Sequence, residues 1–248
     1  MKRILCLVPL LVLAACEGSI ADAVGEAASS ASGSSFSDGR PIGTSASNPG
    51  EFDGINLVGP DNIIFTTGDF SIRAEGDADA IEQLRFKISG GQIKIGRESN
   101  SFSGRDSDKA TIYISAPALK SAKLAGSGDM EIDAMTTDSS NLSIAGSGDI
   151  RVANIDSASL SSKIAGSGNL TLAGTVESID ISIAGSGEIS GRDMKAASAS
   201  ISVAGSGDVE LSSDGSVDAK VMGSGDVRIH GDAKCKSRST GSGDIICG

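Results

Sequence analysis

A chain of 248 residues can bury one sizeable core or two small ones, and a hydrophobic fraction of 39% excludes wholesale disorder. Its 32 acidic side chains outnumber 21 basic ones, and aromatic residues make up only 3%. An acidic surface repels phosphate backbones, and the sequence shows no basic run with interleaved aromatics, so nucleic acid is excluded as a partner.

Residues 1–15 read as a sorting signal. Lys2 and Arg3 form a charged start, and the apolar run over 4–15 is too short to span a bilayer. It ends Leu13-Ala14-Ala15-Cys16, which resembles a bacterial lipoprotein box. The resemblance implies cleavage before Cys16 and acylation of that residue, with the membrane as partner through the lipid. The alternatives are an ordinary signal peptide with a chance cysteine and a single-pass anchor. Glu17, in place of the Asp that retains such proteins in an inner membrane, favours the outer membrane of a diderm cell. Residues 16–50 then form a flexible Ala/Ser/Gly spacer, with at most a short helix over Ala21–Ala28.

Residues 51–118 begin the folded domain. Ile55–Val58, Ile63–Phe65, Phe70–Arg73, Leu84–Ile88, Gln92–Ile95 and Ala110–Ile114 are short β-type runs, most of them separated by glycine-containing breaks. A single helical turn is expected at Asp79–Gln83, and Pro117 stops the last strand.

Over 119–248 a repeat decides the fold. Gly-Ser-Gly begins at Gly126, Gly146, Gly166, Gly185, Gly205, Gly223 and Gly241, in steps of 20, 20, 19, 20, 18 and 18 residues. The first two copies are Gly126-Ser127-Gly128 and Gly146-Ser147-Gly148. Apolar residues keep phase with the turn: Leu124, Ile144 and Ile164 two positions before it, Met130, Ile150 and Leu170 four after it. Alternation on both sides of a fixed turn means two strands sharing one inward face. Coils of 18–20 residues are too short for propeller blades and lack a helical period, so the expectation is an all-β parallel β-solenoid.

The run from Phe52 through Ala118-Leu119-Lys120-Ser121-Ala122-Lys123-Leu124-Ala125-Gly126-Ser127-Gly128-Asp129, with the later Gly-Ser-Gly-Asp copies, resembles the auto-transporter adhesin family called the head GIN domain. The resemblance implies a right-handed β-helix over 51–248, with the 51–118 strands forming an N-terminal β cap region, in an exported, often lipid-anchored protein. Asn169 and Glu188 depart from the usual Asp after the turn.

That position forms a column: Asp129, Asp149, Asn169, Glu188, Asp208, Asp226 and Asp244. Two readings stand. The aspartates, with Ser127 and its counterparts, hydrogen-bond turn backbone, or stacked carboxylates recruit Ca²⁺. No other cofactor is implied. Cys235 and Cys247 lie six residues before and after Gly241 with inward parity, and outside the cytoplasm they are expected to form a disulfide across the last coil; a reactive or metal-binding pair is the alternative. His230, the only histidine, follows an inward residue and is expected to face solvent. Phe52, Phe65, Phe70 and Phe86 fall in core phase, and the nearby acids Asp77 and Asp79 give no ground for a glycosidase pair.

The functional expectation is a non-enzymatic envelope module for adhesion or display, its ligand an unidentified surface glycan or protein. The alternatives are a periplasm-facing structural or polysaccharide-binding protein and a polysaccharide-degrading β-helix. Nothing in the pattern sets an oligomeric state.

Overall fold

The computed structural model describes residues 36–98 and 109–248. The signal segment, Cys16, the Ala21–Ala28 helix and Phe102 lie outside the described residues. Among those described, the chain is a β-solenoid of about six turns, in which coils stack in parallel and in register.

The N-terminal strands are β1 (Arg40–Pro41), β2 (Gly54–Gly59), β3 (Asn62–Thr67) and β4 (Ser71–Gly76). Helix α1 (Ala78–Gln83) follows, then β5 (Leu84–Ser89), β6 (Gln92–Arg97) and β7 (Ala110–Ala116). The repeat opens with β8 (Ser121–Gly126), β9 (Met130–Ile132), β10 (Met135–Thr136) and β11 (Ser139–Gly146). Long bent strands carry the middle: β12 (Ile150–Gly166), β13 (Leu170–Gly185), β14 (Ile189–Gly205) and β15 (Val209–Gly223). The last coil is β16 (Val227–His230), β17 (Lys234–Gly241) and β18 (Ile245–Cys247).

The phase of the sequence becomes columns in space. The seven first glycines align from Gly126 to Gly241 across consecutive strand pairs. Leu124, Ile144, Ile164, Ile183, Val203 and Val221 are buried in one inward column, and Met130, Ile150, Leu170, Ile189, Val209 and Val227 in the next. Register shifts at Val152/Ile155 and Thr171/Ala173 mark a second corner of the coil.

Two different constraints select the two glycines of each turn. Gly166 has φ +133°, and a Cβ there would lie 2.2 Å from the carbonyl oxygen of Gly146. Gly168 has no such φ, but its Cβ would lie 2.1 Å from the oxygen of Gly148. Stacked turns sit so close that neither position admits a side chain.

The N-terminal part does more than cap the rod. Strands β2 and β3 pair in parallel with β8 and β9, with Gly59 opposite Gly126 and Ile63 opposite Met130. Gly59-Pro60-Asp61 is therefore a further turn of the stack, without the Gly-Ser-Gly spelling. The amides of Ser127 and Gly128 both donate to the Gly59 carbonyl, as those of Ser147 and Gly148 donate to Gly126. Below that coil lie β6 and β7, parallel to β2 and β3, so the bottom of the rod is stacked out of sequence order. The cap itself is antiparallel, β5 on β6 and β4 on β7. Helix α1, begun one residue earlier than expected and capped by the Asp77 carboxylate accepting from the Ala80 amide at 2.9 Å, joins them.

Residues 36–50, which composition assigns to the spacer, are packed on this cap. Phe36 and Ile42 are buried, β1 pairs with β5, and the Gly43 carbonyl accepts from the Ala74 amide. Two apolar residues among polar ones leave little periodic signal, yet they cover the outer edges of both cap strands, which would otherwise expose unpaired backbone. Residues 36–50 thus belong to the folded unit instead of to the spacer.

Under the Gly59 turn Asp61 is fully buried, accepting from Arg97 Nε at 2.8 Å, Arg97 Nη2 at 2.6 Å and the Ala110 amide at 2.9 Å. This pair ties the Gly59 turn to the coil beneath it. Removing Asp61 takes from the buried Arg97 guanidinium the carboxylate that meets two of its nitrogens, so Asp61→Ala is expected to lower stability by about 3–5 kcal/mol in urea unfolding. In the same assay Gly168→Ala is expected to cost more than about 3 kcal/mol, because a backbone carbonyl must move. Gly90→Ala, at φ +59° with nothing within 4 Å of its Cβ, should cost only about 1 kcal/mol.

Candidate functional site

The turn edge is a continuous backbone ladder. Each serine gives its amide to the first glycine of the coil below, from Ser147 to Gly126 at 3.0 Å up to Ser242 to Gly223 at 2.9 Å. The side chains of Ser127 and Ser147 face solvent, so the serines contribute main chain and not the hydroxyl bonds that the sequence suggests.

The acidic column follows the same logic. Asp129 Oδ1 accepts from the Asp149 amide at 3.1 Å, Asp149 Oδ1 from Asn169 at 2.9 Å, Asp208 Oδ1 from Asp226 at 2.7 Å, and Asp226 Oδ1 from Asp244 at 2.9 Å. Asn62, after the Gly59 turn, starts the series by accepting from Asp129. One oxygen of each of these four carboxylates is thus spent on the next coil's backbone. Ca²⁺ needs six to eight converging oxygens. Here Asp129, Asp149, Asp208, Asp226 and Asp244 each stand one per coil, and no group of three His, Cys, Asp or Glu side chains among the described residues could hold a metal. The bonds of this column are those of the turn-chemistry reading.

The face formed by β8, β11, β17 and the C-terminal halves of β12–β15 has a different character. One column, which continues downward onto β2 and β6, carries Lys94, Lys123, Lys163, Lys220 and Arg238, with serines or the buried Asn56 in the coils between. Beside it run Asn141, Ser161, Asp180, Ser200, Asp218 and Lys236, then Ser139, Ser159, Ser178, Ser198, Ser216 and Lys234. Asp180 and Asp218 are the carboxylates of these columns. A shallow trough of about 540 Å³ follows the outer serine column to Lys234 and Lys236. The side beyond the second corner exposes more acids, Asp156, Glu177, Asp193 and Asp214, beside the cations Arg192 and Lys195. This alignment of lysines is hidden in the sequence because Lys123, Lys163 and Lys220, two and three coils apart, are separated by 40 and 57 residues of chain.

His230 is half-buried and not free in solvent: its Nε2 lies 2.6 Å from Glu210 Oε1 on the neighbouring coil. A groove of about 650 Å³ opens beside it, lined by Lys195, Asp214 and Gly215, where coil length falls from 20 to 18 residues. Phe52, Phe65 and Phe86 are core residues, and Phe70 packs against Phe52 with ring centroids 5.5 Å apart. Asp77 is used as the helix cap and not as half of a catalytic pair.

Cys235 and Cys247 form the disulfide, with Cα atoms 6.6 Å apart, both sulfur-bearing residues packed against the end of the core. The inward Ser237 and Ser239 of that coil are exposed, so the bridge stands in for burial where apolar columns end. Closing a loop of 12 residues contributes about 3 kcal/mol in the chain-entropy account. In Cys235→Ser/Cys247→Ser, hydrogen exchange should accelerate in β16–β18 while the amides of β11–β13 stay protected, because a solenoid coil couples mainly to its neighbours.

The solved structures show the same architecture. An adhesin from Bacteroides fragilis, described as putative, aligns with TM-score 0.74 at 22% identity over 82% of this chain and 95% of its own. A protein from Parabacteroides distasonis described as putative lipid binding aligns with TM-score 0.65 at 25% identity, over 85% and 98%. A further adhesin so described, from Parabacteroides merdae, aligns with TM-score 0.65 at 18% identity, over 84% and 96%. No curated protein matches the chain. The family described as "Putative auto-transporter adhesin, head GIN domain" matches residues 51–233, covering the Gly59 coil and six of the seven Gly-Ser-Gly turns, and the chain belongs to it.

Proposed function

We propose that this protein is a non-enzymatic cell-envelope lipoprotein that displays its solenoid for adhesion. The observation that carries the reading is a rod whose outward surface is built of repeated polar columns along its length. The outward acids next to its turns accept bonds from backbone, so they hold the fold together instead of converging on a substrate. Membership of an adhesin-described family supports the same use.

Cys16 supplies the attachment. Among the described residues no helix is long and apolar enough to cross a membrane. A lipid on Cys16 would hold the rod by its capped end, since Phe36, the first described residue, lies beside β5 and β6. Several acyl chains suffice for stable attachment, each buried methylene contributing about 0.8 kcal/mol. The free end is then the disulfide-closed coil.

Two measurements test this reading. Cys16→Ser should move the protein from the membrane fraction to the soluble fraction. External protease on intact cells should remove the wild-type rod if it faces outward. Complete survival of the rod on intact cells, with cleavage after lysis, would overturn display in favour of a periplasm-facing structural role.

A further inference from the structure

We infer that the lysine–serine face is the adhesive surface, and that it takes a linear acidic glycan, one whose repeating units carry carboxylates or sulfates. The inference rests on the adhesion reading and names its ligand class.

The charge is the first ground. The protein carries a formal charge of −11, yet this one face gathers Lys94, Lys123, Lys163, Lys220 and Arg238 in a single column along the rod. Lys234 and Lys236 extend it across the last strand. Lys220 leans on Asp218 at 3.6 Å, whereas Lys123, Lys234, Lys236 and Arg238 make no ion pair among the described residues. Like charges repeated along one face repel one another, and a polyanion laid on them relieves that repulsion while releasing its counterions.

The shape is the second ground. Coils spaced by about 4.8 Å make the column long and straight, and the trough beside it is open along its length. A linear polymer can follow such a surface over several coils. The columns beside the cations are mostly serine, with Asn141 and the two carboxylates Asp180 and Asp218, the latter beside Lys220; the hydroxyl and amide groups both donate and accept, as sugar hydroxyls do.

The surface chemistry separates the glycan from other anionic partners. Protein interfaces are anchored by buried aromatic residues and arginine in pockets. On this face Met222 is the single large exposed apolar residue, which leaves a protein partner without anchors and gives a membrane little apolar area to bury. Single-stranded nucleic acid is held by stacking its bases on aromatic side chains, and these columns carry none.

The test uses the purified full chain with heparin as the sulfated probe, polygalacturonate as the carboxylated one, and dextran and a thymidine oligonucleotide as comparisons. Binding to at least one acidic glycan is expected, with none to dextran, and with log K falling linearly against log salt. Which acidic probe binds distinguishes sulfate from carboxylate. Lys123→Ser/Lys220→Ser/Arg238→Ser should reduce that salt slope by about two to three. Serine already occupies the column at Ser143, Ser182 and Ser202, so the coils accept it. Arg151→Ser/Lys195→Ser/Arg228→Ser removes as many exposed cations from other sides and should leave affinity within about twofold. Should the first triple variant unfold, Lys236→Gln/Arg238→Gln on the exposed last strand takes its place. No binding to either acidic glycan, equal loss in both variant sets, equal binding to dextran, or tighter binding to the oligonucleotide would overturn the assignment. A rod that is shaved from cells but binds no acidic glycan overturns this inference and leaves display standing; a rod that binds but resists shaving does the reverse.

Discussion

The close approach of stacked turns is the constraint on which the rest of the molecule depends. At each turn the carbonyl of one coil sits where the Cβ of the next coil's glycine would be, as Gly146 does for Gly166 and Gly148 for Gly168. That proximity lets the amides of Ser167 and its counterparts bond downward and fixes the register of everything that follows. With register fixed, inward positions become apolar columns and outward positions become rows of like residues. A one-residue slip would exchange the two sets. The glycine excess of the composition is therefore the cost of register and not a sign of flexibility.

The acidic column shows how this backbone geometry redirects side-chain chemistry. Carboxylates stacked one per coil would repel each other if left to solvent, but Oδ1 of Asp129, Asp149, Asp208 and Asp226 each finds the next amide of the ladder. Asn62 and Asn169 serve in the same place because an amide oxygen accepts equally well. What looks like a metal-binding motif in one dimension is a set of rungs in three.

The two ends of the rod are closed by different means. At the N-terminal end antiparallel β4 and β5 terminate the parallel stack, and residues 36–50 cover their edges. At the other end, apolar columns give out at Ser237 and Ser239, and the Cys235–Cys247 bond crosses the thinning core. Lys234, Lys236 and Arg238 occupy that last strand, where charge discourages edge-to-edge pairing of copies. The same cations extend the basic face of the rod, so protection of the edge and capture of an anionic polymer are served by one set of side chains.

The sequence by itself determined the coil. Gly-Ser-Gly recurs at intervals that only a solenoid satisfies, and Leu124 to Val221 keep inward phase, so fold class, core columns and the Cys235–Cys247 bridge are all legible from local spacing. Those features depend on residues within one coil of each other. Tertiary structure alone decided what depends on distant segments meeting. The Gly59 turn is hidden because Pro60 and Asp61 replace the usual residues, and its coil joins β8 and β9 only after β4–β7 fold back beneath it. Asp61 finds Arg97, 36 residues away, for the same reason. Phe36 and Ile42 bury themselves without any periodic pattern, because a single covering strand needs none. The alignment of lysines into one column emerges last, since it compares residues one per coil, and only stacking brings them into a row.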